Sequence, residues 1–176
     1  MHLLFISLLC SLAGYAVMFA TCSGWGWLLA RWLGGEDLLR LDMFLPFLGL
    51  CLILPIAEVF HLFHAINYQV SLLIVVPGTC IYLLKLAREH FAFLRSHKRA
   101  VVIGLLVVCW GAGVAMRLPN NYDSGLYHFQ TIRWLEEYPI VRGLANLHWH
   151  FGLNQSYFEL VALTDFTRGS TTVTIC

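Results

Sequence analysis

Residues 100–138 read AVVIGLLVVCWGAGVAMRLPNNYDSGLYHFQTIRWLEEY, and the change of character inside that stretch decides how the chain is built. Ala100 to Met116 carries no charged side chain, whereas acids, bases and aromatics crowd together from Arg117 onward. About seventeen helical residues rise roughly 25 Å, close to the hydrocarbon thickness of a bilayer. The apolar run therefore leaves the membrane at Arg117, and the segment Asn120 to Tyr138 begins where lipid meets water. Asp123 then has water on one side and low dielectric on the other, a setting in which neighbouring charges shift a carboxyl pKa.

Composition supports the membrane reading. The chain is 59% hydrophobic and 12% charged, against about 45–50% and about 25% in soluble domains. A net charge of +1, without a basic tail or charge block, gives no reason to expect a nucleic-acid partner. Cys10, Cys22, Cys51, Cys80 and Cys109 lie singly in or beside apolar runs, without CxxC pairing, and read as small lipid- or helix-facing residues.

Upstream, the run His2–Thr21 has no acid, Lys or Arg and is long enough to span. It lacks the basic start and small-residue cleavage site of a leader. A Ser23-Gly24 break follows, and Trp25 to Leu33 (WGWLLARWL) is expected as an interfacial helix, its indoles at headgroup level, with an extension of the first span as the alternative. Gly34-Gly35 ends it.

The second span is expected over 43–63, where Pro46 and Pro55 introduce kinks and Glu58, His61 and His64 lie near the exit. Glu58 and His61, three apart, share a helical face, which opens a carboxylate–imidazole pair at the interface. After a tight connection at Ile66-Asn67-Tyr68, residues 69–86 return through the bilayer, with Pro77-Gly78 inside the span. Lys85 to Arg99 then holds five Lys/Arg and one acid, and is expected on the cytoplasmic side. The last expected span is 100–116.

Alternation of these crossings places two Lys/Arg in 31–42 and five in 85–99 on one side, against three in 117–156 on the other. The asymmetry orients 117–156 away from the cytoplasm. The expected fold is all-α: a polytopic bundle of about four spans with an amphipathic helix over about 124–138 in an extracytoplasmic loop. Asp123 or Ser124 caps that helix and Pro139 stops it. Beyond it, Gly143 and Gly152 bracket Asn146-Leu147-His148-Trp149-His150, where two imidazoles two residues apart suit phosphate-facing donors or metal ligands. Asn154-Gln155-Ser156 fits the N-glycosylation pattern.

The segment DSGLYHFQTIRWLEEYPIVRGLANLH, following a span, resembles the first extracytoplasmic loop of C-type membrane glycosyltransferases, and more closely a bacterial family of large polytopic membrane proteins related to them. The match covers roughly residues 100–158. The resemblance implies an inner-membrane enzyme that takes a sugar from a polyprenyl-phosphate carrier at the outer face. Asp123 would be its general base or the anchor of a divalent metal ion, with His128, Arg133, Tyr127 and His148 near the substrate. Arg117, Arg133 or Arg142 would supply cationic donors to the phosphate.

In two respects the chain departs from that family: three spans precede the loop-bearing one, and relatives run to several hundred residues. Tyr157 to Leu163 starts like another span before the Thr-rich TDFTRGSTTVTIC, which reads as a truncation, so transfer by this chain alone is not expected. The competing expectation is a non-enzymatic transporter or membrane assembly subunit built around Glu58 and His61.

Overall fold

The computed structural model describes residues 2–34, 42–115, 124–152 and 156–165, and all regular structure among them is helical. The α-helices are α1 (His2–Trp32), α2 (Leu45–His61), α3 (Tyr68–Lys85), α4 (Ala87–Ser96), α5 (Lys98–Ala115), α6 (Phe129–Glu137) and α7 (Ser156–Thr164). A π-helical turn, Ser124–His128, runs directly into α6. Short 3-10 turns occupy Leu144–Asn146 and Trp149–Gly152.

Two helical stretches, Phe5–Trp32 and Tyr68–Lys85, are long and apolar enough to cross a membrane. α4 and α5 pass the same test only as a pair, and they are bent by 107°. α2 is apolar but has 17 residues, about 26 Å of rise. Large apolar side chains on these helices face outward: Phe5, Ile6, Leu73, Leu83, Ile103, Leu106 and Trp110 are all more than half exposed. Apolar area of that extent has no counterpart on soluble monomers and fits a lipid environment.

The expectation for Trp25–Leu33 is overturned, because α1 is one continuous helix of 31 residues through Ser23-Gly24. The glycines are contact points here and do not break the helix. A Cβ on Gly24 would collide with the carbonyl of Gly78 in α3, and one on Gly26 with the carbonyl of Leu45. Backbones this close need hydrogen in place of a side chain, as at small-residue contacts between membrane helices. The helix ends where Gly34 takes φ +75, a left-handed terminal conformation.

The described residues form two compact units. One comprises 2–34, 42–50 and 75–115. Its core is Ala30, Leu45 and Leu86, flanked by Trp27, Leu48 and Tyr82. Thr21 and Thr79 share a hydroxyl hydrogen bond of 3.1 Å between α1 and α3. Tyr82 and His90 are joined by a 3.2 Å bond at the corner into α4, with Phe19 of α1 against both rings.

The other unit comprises 51–74, 124–152 and 156–165. Asn67 Oδ1 accepts from the amides of Gln69 and Val70 (3.1 and 3.3 Å), capping α3. α6 and α7 pack together, burying Leu135 and Glu136 from one and Phe158, Ala162 and Leu163 from the other.

Candidate functional site

The second unit holds its loop by backbone bonds to the end of α2. The Ile66 amide donates to the Leu135 carbonyl at 2.8 Å, and the Ile140 amide to the His61 carbonyl at 3.0 Å. His61 Nε2 lies 3.2 Å from the Tyr138 carbonyl. A carbonyl only accepts, so the ring presents Nε2–H there. This bond, and not an ion pair with Glu58, is what the His61 side chain makes. α6 stops at Glu137 because Pro139 lacks the amide that a further turn requires, and Tyr138 is extended.

Held this way, the turn before α6 meets the His-rich segment. The Tyr127 ring stacks on His150 at 4.2 Å between centroids and lies 6.2 Å from His148. His148 and His150 bring their Nδ1 atoms to 3.2 Å, so one ring donates Nδ1–H and the other accepts. His128 packs edge-on against Tyr127 at 4.5 Å and lies 5.2 Å from Phe158 of α7. Gly143, at φ +89, opens the turn that brings the segment back, and the Asn146 amide closes it on the Gly143 carbonyl at 2.9 Å. Three imidazoles and a phenol thus gather on one side of α6. Such a group can donate hydrogen bonds to phosphate oxygens and pass a proton between rings.

A second chemical feature sits beside it in the same unit. Glu159 on α7 is 1% exposed, and neither of its oxygens has a hydrogen-bond donor. Its neighbour is the half-buried Glu58 of α2. Burial first, and then Glu58, push the Glu159 carboxyl from an ordinary 4.5 up to about 8. The neutral acid is thereby favoured at Glu159. α7, as described, has nine residues, about 13 Å of rise, less than the hydrocarbon thickness of a bilayer.

An apolar cavity of about 210 Å³ lies between α6 and the following loop, with His61, Thr131, Trp134, Ile140, Leu144 and Phe151 in its walls. That is below the roughly 300–1,000 Å³ of pockets that enclose whole small molecules. Among the described residues no three His, Cys, Asp or Glu side chains are grouped to hold a metal ion. These residues alone do not fit a metal centre.

Of the residues singled out from the sequence, Tyr127, His128 and His148 come together. Arg133 does not join them. It is exposed, and its Nε bonds Glu137 at 3.0 Å, which keeps the guanidinium firmly charged. Arg142 is exposed. Asp123, Arg117 and Asn154 lie outside the described residues. His150 was legible only as a companion of His148. Glu159 was missed, although a lone acid in the apolar run YFELVAL is a signal for a buried ionisable group.

Helices of membrane-crossing length and an all-helical fold define the class, an α-helical protein with candidate membrane spans. Residues 8–174 match the family described as Domain of unknown function (DUF8201), and the chain belongs to that family. No curated protein and no solved structure matches it.

Proposed function

We propose that this chain is a bacterial inner-membrane protein in which α1, α2, α3 and α5 each cross, and that residues 117–156 face outward as the acceptor loop of a C-type glycosyltransferase. The donor would be a polyprenyl-phosphate-linked sugar. The observation that carries the proposal is the sequence YDSGLYHFQTIRW together with the packing of Tyr127 on His150 and of His128 on Tyr127, shortly after Asp123 in the chain. It is supported by the arrangement of that segment, an apolar helix followed by an acid and then an imidazole cluster.

In this mechanism the Asp123 carboxylate takes the proton of the acceptor hydroxyl as its oxygen attacks the anomeric carbon. The bond from that carbon to the carrier phosphate breaks, and the polyprenyl phosphate leaves with the electron pair. Imidazole N–H groups donate hydrogen bonds to the departing phosphate, and the Arg142 guanidinium offsets its charge. A positioned base contributes about 10²–10⁴-fold. The test is transfer of labelled sugar from the lipid carrier by membranes containing a longer relative with the same YDSGLYH segment, and failure to transfer from any polyprenyl-phosphate sugar refutes it.

The carboxyl pair Glu58–Glu159 favours one other reading, a transporter or assembly subunit in which that pair carries a proton. The two part company under mutation. Loss of function in Glu58→Gln with normal function in Asp123→Asn selects the second.

A further inference from the structure

We infer that α4 is an in-plane anchor that docks on anionic phospholipid headgroups through Arg88 and Arg95, with Phe91 and Leu94 in the acyl boundary. The inference rests on reading the chain as a membrane protein, and not on glycosyl transfer.

Geometry provides the first argument. α4 meets α5 at 107°. With the apolar α5 along the bilayer normal, α4 lies close to the membrane plane. At about 100° per residue, Ala87, Phe91 and Leu94 fall within one stripe, while Arg88 and Arg95 lie together on its flank. Glu89 and Ser96 face the other way. Ala87, at the start of the stripe, is buried, whereas Phe91 is 68% exposed and Leu94 45%, so the described chain leaves the outer part of the stripe uncovered. Cations flanking an apolar stripe sit at headgroup depth when the helix lies flat, and their stems cover apolar area as they reach outward.

Charge provides the second. Lys85, Arg88, Arg95, Lys98 and Arg99 stand against Glu89 alone over 85–99. Arg88, Arg95, Lys98 and Arg99 are all exposed and have no ion-pair partner among the described residues. Lys85 instead lies over the Trp27 ring at 5.7 Å. An open groove on the flank is lined by Arg88, Phe91, Ala92, Arg95 and Ser96. An unneutralised basic face beside exposed aromatics matches a surface that is anionic above and apolar below. On the flank opposite the two arginines, His90 is held by its 3.2 Å bond to Tyr82, which fixes the roll of the helix.

The test uses the full chain reconstituted in phosphatidylcholine vesicles with and without phosphatidylglycerol. Spin-labelled phosphatidylglycerol should be restricted by the protein in preference to spin-labelled phosphatidylcholine, and less so at high salt. One surface cation is worth roughly fivefold in association at low salt. The double variant Arg88→Gln/Arg95→Gln should lose at least about threefold of the preference, and Glu89→Gln none. In a background without native cysteines, a nitroxide at Phe91→Cys should be reached by oxygen, and one at Ser96→Cys by a water-soluble nickel complex. Equal accessibility at the two positions, or a lipid preference indifferent to the double substitution, overturns the inference. Protein that fails to float with vesicles overturns the membrane reading itself.

Discussion

His61 holds both sides of Pro139: its ring donates to the Tyr138 carbonyl across 3.2 Å, and its own carbonyl accepts from the Ile140 amide at 3.0 Å. One residue at the end of α2 thereby sets where the loop after α6 begins. His61→Phe keeps the buried aromatic volume and removes the donor. It should cost about 1 kcal/mol and speed hydrogen exchange at Ile140 and Val141, measured by mass spectrometry in detergent. Unchanged exchange there would show that the backbone bonds suffice.

Gly24 and Gly14 lie on the same helix and should respond oppositely to alanine. At Gly24 the new methyl meets the Gly78 carbonyl, which is backbone and cannot swing aside, so α1 and α3 must separate. The expected loss is about 1–3 kcal/mol. At Gly14 nothing lies within 4 Å of the place the methyl would take, and Gly14→Ala should gain up to about 1 kcal/mol of helix propensity. Thermal unfolding in detergent compares the two.

The Glu159 carboxyl predicts a pH dependence. Its folded pKa, about 8, lies above the ordinary 4.5, so the folded state holds a proton that the unfolded state releases between those values. Stability should fall as pH rises from about 4.5 to about 8, by at most about 1.4 kcal/mol per unit, and level off above. Glu159→Gln keeps the side-chain volume and cannot ionise. It should flatten the curve and raise stability at pH 8.5. An unchanged slope in that variant would assign the proton elsewhere.

Apolar run lengths were enough to read the helical class and the approximate places of α1, α2, α3 and α5, because a span announces itself by composition alone. Contacts were not legible in the same way. Ser23-Gly24 read as a break, since the sequence does not reveal that the backbone of another helix approaches Gly24. Glu58 was matched with its nearest ionisable neighbour in sequence, His61, whereas its partner Glu159 is about a hundred residues distant. Lys85 to Arg99 read as a basic connector, although its 3.6-residue apolar period contains α4. The grouping of Tyr127 with His148 and His150 depends on the left-handed turn at Gly143, which the residue type permits but does not dictate.

Orientation has a direct test. Ser124→Cys, with the native cysteines replaced, should react with a membrane-impermeant thiol reagent in intact cells. Reaction only after lysis would put the loop on the cytoplasmic side and remove the donor carrier from its reach.

The most direct measurement concerns Asp123. In a longer relative carrying YDSGLYH, the residue matching Asp123 is changed to Asn and transfer from a polyprenyl-phosphate sugar is followed alongside expression and membrane insertion. Asn keeps the side-chain shape and still caps a helix, so insertion and stability should be nearly unchanged. It cannot take a proton at neutral pH, so transfer should fall by at least about a hundredfold. Near-normal transfer by the Asn variant would contradict the account and leave Asp123 a helix cap.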